Sequence, residues 1–305
     1  PSPRRALFLG LGTGVTALSA AQDPMLQVDA VELLPEVIDA SVHFTRMIEG
    51  DAGNARLHLM TADARRFVRA TRERYDVIVS DNFHPARSGS GSLYTVEHFK
   101  AVQNRLAAGG VFCQWLALHQ LDIDTLRSIV RAFVTVYPHG WAMLATYSLD
   151  TPVLGLVARK NGERFDVGQI RERLTGVALP RSPAEFGITD DLALLGNFVA
   201  GPQSLARFAG DAPLNTDDHP VVAYRAPRIT YVPDSLPRDR LIALLGEVQV
   251  RPDELLATPR DAVWGARLAA YWSARNRFIA SGRDVQPTFD VRRMLAQVRE
   301  PLISV

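Results

Sequence analysis

The sequence predicts an α/β fold: an open, mostly parallel sheet wrapped by helices, with an antiparallel finish and a helical C-terminal extension. Three observations carry this reading. Between residues 6 and 159, strand-sized apolar runs alternate with amphipathic stretches, the order that parallel strands joined by helical crossovers require. The early runs are apolar nearly throughout, as strands are when helices cover both faces of the sheet. The chain is 305 residues, 47% hydrophobic and 22% charged, enough for a large core and too apolar for a disordered chain.

Each element follows in turn. Strands are expected at 6–11, 28–33, 56–60, 76–80, 111–116, 141–146 and 153–158. Helices are expected near 14–21, 35–48, 64–72, 94–107 and 122–136, the last opened by Asp122 and Asp124 as caps. The sixth and seventh strands are separated by only a few residues, close enough to pair antiparallel. Beyond 160 come a charged stretch at 160–164, two helical stretches near 167–174 and 191–208, and Leu214-Asn215-Thr216-Asp217-Asp218-His219-Pro220 followed by a short run at 221–224. Pro227, Pro233 and Pro237 then break the chain. The remainder carries helical periodicity at Leu241, Leu244 and Leu245 and again at 263–279. The expected division is 1–160, a nucleoside-binding domain; 161–228, a closing segment packed on it; and 229–305, a helical extension.

Composition excludes several classes. Lys+Arg minus Asp+Glu is 34 − 33 = +1, which leaves no broad basic field for nucleic acid. The single Cys113 cannot form an internal disulfide or a multi-cysteine metal site, and no metal is expected. No apolar run approaches the ~20 residues of a membrane helix. The expectation is a soluble, cytoplasmic chain. Its start at Pro1-Ser2-Pro3, almost directly before a strand, reads as a piece of a longer parent, tethered to a membrane through an upstream region or paired as a homodimer.

The chemistry concentrates at strand ends. Ala6-Leu7-Phe8-Leu9-Gly10-Leu11-Gly12-Thr13-Gly14 is a strand running into a glycine-rich turn that opens a helix, where backbone N–H groups can approach a ligand closely. Such turns are often purely structural. Glu32, 20 residues after Gly12, ends the second strand, where a carboxylate can accept hydrogen bonds from ribose hydroxyls. Asp63 follows the third strand and Asp81 the fourth. Ligands of open α/β sheets bind at the carboxyl ends of strands, so glycines, Glu32, Asp63 and Asp81 line one crevice. Each acid alone is also a credible helix cap.

These spacings resemble the seven-stranded Rossmann-like S-adenosylmethionine-dependent methyltransferase fold, and the continuation resembles the spermidine synthase family within it. The supporting residues are Asp63-Ala64, Tyr75-Asp76-Val77-Ile78-Val79-Ser80-Asp81, Ser92-Leu93-Tyr94 with His98-Phe99, and Leu106-Ala107-Ala108-Gly109-Gly110-Val111-Phe112-Cys113-Gln114-Trp115. The segment from Leu214 to Pro220 with Ala226-Pro227-Arg228 is similar to the closing segment of bacterial spermidine-synthase-like proteins fused to membrane or helical-repeat regions. The resemblance implies aminopropyl transfer from decarboxylated S-adenosylmethionine to a small di- or polyamine. Glu32 would hold the ribose, Asp63 and Ala64 the adenine, and Gly10, Gly12, Thr13 and Gly14 the tail of the donor. Asp81 would orient and help deprotonate the attacking amine, with Tyr94 and Gln114 bordering the amine pocket. Outside the resemblance, Tyr94 reads as a helix-start aromatic and Gln114 as a strand-end amide.

Two family acids are missing. Thr13 stands where the glycine loop usually carries Asp, and His84 stands at the second acid of the active-site motif, which here reads Asp81-Asn82-Phe83-His84-Pro85. Multiply cationic acceptors need several carboxylates, so these losses weaken a polyamine pocket. The Gly-Thr-Gly form is closer to methyltransferases, whose donor is S-adenosylmethionine itself. Methyl transfer using His84 or Asp81 as base, and a nucleoside-binding domain without turnover in a larger protein, both stay open. His84 is otherwise an ordinary loop histidine, Asp217-Asp218-His219 a turn, and Trp264, Tyr271, Trp272 and Phe278 helix-packing aromatics.

Overall fold

Apolar runs of five or six residues set the sheet. In the computed structural model, which describes residues 3–49, 54–176, 182–257, 262–286, 288–293 and 295–297, the first four strands are Arg5–Leu9 (β1), Gln27–Glu32 (β2), Leu57–Thr61 (β3) and Tyr75–Ser80 (β4). β1 pairs parallel with both β2 and β4, and β2 with β3. The crossovers between them contain Val15–Ala21 (α1), Pro35–Glu49 (α2) and Ala64–Ala70 (α3). Val96–Arg105 (α4) leads into Leu106–Ala117 (β5), parallel to β4. Ile123–Val136 (α5) leads to Trp141–Leu144 (β6) and Val153–Arg159 (β7), which pair antiparallel as expected, with β7 inserted between β5 and β6.

The sheet has eight strands rather than seven, in the order β3-β2-β1-β4-β5-β7-β6-β8. The added strand is Phe198–Ala200 (β8), within the stretch at 191–208 expected to be one helix. Gly196 and the Gly201-Pro202 pair interrupt that stretch. It divides into Asp191–Leu195 (α7), the buried strand, and Pro202–Ala209 (α8), and Pro202 takes a first-turn position where its missing N–H costs nothing. β5 begins five residues earlier than expected because Gly109, at φ +71°, and Gly110 form an irregularity that lets pairing resume at Leu106. A Cβ on Gly110 would stand 3.0 Å from the carbonyl oxygens of Ala107 and Tyr75.

Local capping chemistry fixes the helix starts. Asp122 accepts from the Thr125 amide at 2.9 Å and caps α5, while Asp124 instead sits in its first turn and pairs with Arg225. The face of the sheet covered by α4 and α5 is packed by Phe99, Phe112, Phe133 and Tyr137 in mutual ring contact. The face near α1 is packed by Ala6, Phe8, Ala17 and Val28.

After Val167–Gly176 (α6), α7 and α8 come Val221–Tyr231 (α9), Pro237–Glu247 (α10), Pro252–Leu255 (α11) and Ala262–Ser281 (α12). Pro227 lies inside α9 rather than breaking the chain, whereas Pro237 opens α10. Leu241, Leu244 and Leu245 of α10 join the core beneath β5–β7, and Trp264, Leu268 and Trp272 of α12 pack with Trp141, Leu195 and Phe198. Among the described residues, no helix is long and apolar enough to cross a membrane.

Candidate active site

The chain reverses direction across the sheet between β1 and β4, and in open α/β sheets that switch point is where ligands bind. The Asp81 amide donates to the Leu9 carbonyl at 2.9 Å, and the Gly10 amide to Val31 at 2.8 Å, so both loops leave the sheet side by side. Gly10 and Gly12 have φ of +86° and +54°. A Cβ on Gly10 would fall 2.9 Å from the Phe83 ring, and one on Gly12 would fall 3.3 Å from Asp81 Oδ2. Bare backbone here is therefore required by close approach as well as by turn conformation. The Asp81 carboxylate stands directly over the glycine loop.

Glu32 points at the same loop. Its Oε2 accepts from the Leu11 amide at 3.0 Å, and its Oε1 from the Leu33 and Leu34 amides at 2.8 and 3.2 Å. A carboxylate offers about four acceptor positions, so backbone donors use most of them and orient the rest. Asp81 Oδ1 accepts from the Asn82 amide at 2.8 Å. Burial pushes the Asp81 pKa up, the Asn82 bond opposes this, and the nearby Glu32 charge adds to it. Protein surrounds this carboxylate while water still reaches it. A substrate excluding that water would enlarge the upward push.

Behind Asp81 lie two residues expected at the amine pocket. Tyr94 is buried, and its hydroxyl donates to the Phe83 carbonyl at 2.7 Å; burial, with the Asp81 charge, keeps the phenol protonated. Gln114, fully buried, donates through Nε2 to the Asp81 carbonyl at 3.2 Å and the Trp115 carbonyl at 3.0 Å. Among the described residues its Oε1 has no hydrogen-bond partner, and neither has the buried Oγ of Ser80, its register neighbour. His84 accepts the Ala86 amide at Nδ1, 3.3 Å, closing a local turn.

The remaining expected residues sit further out. Gly14 caps α1 at φ +76°, and a Cβ there would meet Thr45 at 3.1 Å, so it serves helix packing. Thr13 is exposed in the glycine loop. Asp63 accepts from the Arg66 amide at 2.8 Å and caps α3, in which Ala64 is the first residue. A cleft of about 500 Å³ opens at the opposite end of the strands, lined by Asp76, Gly109 and Arg159, and contains none of these residues. Strand polarity, and not cleft size, locates the site. Among the described residues, no group of three His, Cys, Asp or Glu side chains could hold a metal ion. Sequence reasoning placed Asn215 and Asp217 in the closing segment at 214–220 but gave neither them nor Arg65 a part in the site; the three hold the loop after Asp81 from outside.

The sequence pattern of the spermine/spermidine synthase domain matches residues 1–164. The chain belongs to the spermine/spermidine synthase family. It is 28% identical over 204 residues to putrescine N-methyltransferase 2 of Nicotiana attenuata, covering 62% of this chain and 53% of that protein. It is 27% identical over 212 residues to the polyamine aminopropyltransferase of Methanocaldococcus jannaschii, covering 67% and 69%. The chain spans about half the length of the Nicotiana enzymes that it matches. The spermidine synthase of Thermotoga maritima superimposes with a TM-score of 0.53 at 20% identity over 69% of each chain. A spermidine synthase bound to the transition-state analogue AdoDATO gives 0.52, with the same identity and coverage. Both share the Rossmann-like methyltransferase-type fold of this family member.

Proposed function

We propose that this protein is a transferase that moves an aminopropyl group from decarboxylated S-adenosylmethionine to the nitrogen of a di- or polyamine. The observation that carries the reading is the position of Asp81, whose Oδ2 lies 3.3 Å from where a Gly12 side chain would begin. An amine held by that carboxylate lies beside whatever the glycine loop grips. An ammonium has no lone pair, so the nucleophile must lose a proton before it attacks. Asp81 accepts that proton and holds the nitrogen in line with the aminopropyl carbon. The new C–N bond forms as the C–S bond breaks, and the sulfonium leaves as a neutral thioether. The donor supplies the reactive sulfonium, and the protein supplies position and a proton acceptor.

Glu32, fixed by three backbone amides, faces the ribose side, and Asp63 and Ala64 at the start of α3 face the adenine side. The family membership supports an adenosyl-sulfonium co-substrate. Calorimetry with the two donors tests the choice of group: decarboxylated S-adenosylmethionine is expected to bind more tightly. Asp81→Asn is expected to lose at least about 100-fold in turnover with donor affinity within about threefold, the lower end of general-base effects. Full turnover by that variant would remove Asp81 from the mechanism. A second reading, methyl transfer to the same amine, is favoured by the uncharged Thr13 in the glycine loop and by the putrescine N-methyltransferase relatives. Tighter binding of S-adenosylmethionine would select it.

A further inference from the structure

The loop after Asp81 is held by a segment more than a hundred positions later. Asn215 is fully buried. Its Nδ2 donates to the Tyr94 carbonyl at 2.8 Å and the Gly91 carbonyl at 3.4 Å, its Oδ1 accepts from the Val222 amide at 3.2 Å, and its own carbonyl accepts from the Val96 amide at 3.1 Å. Asp217 receives both the Arg65 guanidinium and Arg69 Nη2, the latter at 3.0 Å, and its amide donates to Glu97 at 3.0 Å. Arg65 also donates to the Ser92 carbonyl and, at 3.2 Å, to the Thr95 hydroxyl. Gly91 has no space for a side chain, since a Cβ would stand 2.9 Å from the Ala223 amide nitrogen at the start of α9.

These bonds share one target. Residues Ser90–Tyr94 form a single 3-10 turn, whose last carbonyls have no partner within the turn itself. Asn215 takes that of Tyr94 and adds a longer bond to the Gly91 carbonyl, and Arg65 takes that of Ser92. From the fixed turn, the Tyr94 hydroxyl reaches back to the Phe83 carbonyl at 2.7 Å, and the Phe83 amide donates to the Asp81 carbonyl at 3.0 Å. The Phe83 ring is the group that crowds Gly10. A continuous chain of contacts therefore runs from residues 215 and 217 to the backbone of Asp81, whose carboxylate stands above the glycine loop. Arg65 belongs to α3, directly after Asp63-Ala64, so the same ion pair joins the donor side of the crevice to the acceptor side.

We infer that Asn215 and Asp217 are positioning residues: a latch that fixes the turn at 90–94 and, through Tyr94 and Phe83, sets the direction of Asp81 toward the amine. The inference rests on the reading of Asp81 as the acid that holds the nucleophile. Neither residue touches the reacting atoms. Their contribution is to keep the Asp81 loop in one conformation before the acceptor arrives, which lowers the ordering that binding would otherwise require.

Hydrogen exchange and steady-state kinetics on the full chain test this with Asp217→Ala and Tyr94→Phe. Asp217 is partly exposed, and the aromatic ring is retained in Tyr94→Phe, so both variants are expected to fold; Asn215→Ala serves as a third. Amide exchange at 83–92 is expected to rise at least tenfold in each, with residues 6–14 unchanged within twofold. The affinity for decarboxylated S-adenosylmethionine stays within threefold, while kcat/KM for the amine falls at least tenfold, mostly through KM. The double variant is expected to lose no more than the worse single one, because both interrupt one chain of contacts. Wild-type exchange at 83–92 in a folded Asp217→Ala protein, or losses that multiply in the double variant, would overturn the latch. Normal donor binding with no transfer to any amine by the wild-type chain would overturn the transferase reading, and with it the catalytic purpose of the latch.

Discussion

On the proposed reading Asp81 holds the amine, and the residue three positions on sets how much negative charge stands beside it. His84 occupies the second acid position of the family motif, and its Nδ1 accepts the Ala86 amide two residues later. An Asp side chain makes the same two-residue turn, so His84→Asp can be built without disturbing the loop. The change adds a second negative charge on the amine side. The KM for a diamine is expected to fall at least fivefold at constant donor affinity, measured by steady-state kinetics, and an unchanged KM would mean that residue 84 does not reach the acceptor. Gly10, Gly12, Glu32 and Asp81 were legible in the sequence because each sits at the end of a strand whose apolar run announces it. The orientation of Gln114 toward the Asp81 backbone was not, because a strand-end amide carries no sign of what it faces. Asn215 was read only as part of the closing segment at 214–220, since its partners at 91, 94 and 222 come together only in the folded chain.

At the scale of elements, the parallel half of the sheet was readable and the late additions were not. A strand of three residues, β8, has too few positions to show a period, and it lay in a stretch whose other residues do form helices. Its partner is equally remote: the buried Arg275 of α12 donates through Nη1 to the Gly196 and Phe198 carbonyls, and Trp272 Nε1 donates to the Leu195 carbonyl at 3.0 Å. Burial brings the Arg275 pKa down to about 10, and it remains a cation at neutral pH. The apolar stripe of α12 showed that it packs on something; the structure adds that it also satisfies the carbonyls flanking β8. Arg275→Met keeps much of the stem volume and removes those donors, leaving buried carbonyls unpaired at about 1–3 kcal/mol each. Urea unfolding is expected to show a loss of about 2 kcal/mol or more. An unchanged midpoint would mean that α12 is peripheral to the sheet.

For the molecule as a whole, the junction of α3, α4 and the segment at 214–220 makes stability depend on pH. His98 of α4 is fully buried there, and among the described residues neither ring nitrogen has a hydrogen-bond partner. Burial, followed by the charges of Arg65 and Arg69, lowers its pKa to about 3, although Asp217 and Asp63 pull the other way. In the unfolded chain the ring titrates near its ordinary 6.5. Between those two values the unfolded state binds a proton that the folded state refuses, so acidification favours unfolding by at most about 1.4 kcal/mol per pH unit. Asp217 titrates in a different window. Burial pushes its pKa up, but the hydrogen bonds from Arg65, Thr95 and Arg69 and the Arg65 charge outweigh this and lower it. Its contribution is therefore complete above the ordinary 3.8 and is lost only as the pH falls below that value. Asp81, with its raised pKa, has the opposite sign and loses stability as the pH rises through its own window. Comparison with His98→Leu cancels both acids. Between pH 6.5 and 4.5 the unfolding free energy of the wild-type chain is expected to fall by about 2–3 kcal/mol more than that of the variant. Parallel curves for the two proteins would show that His98 takes up its proton as readily folded as unfolded, and that the junction around it is open to water.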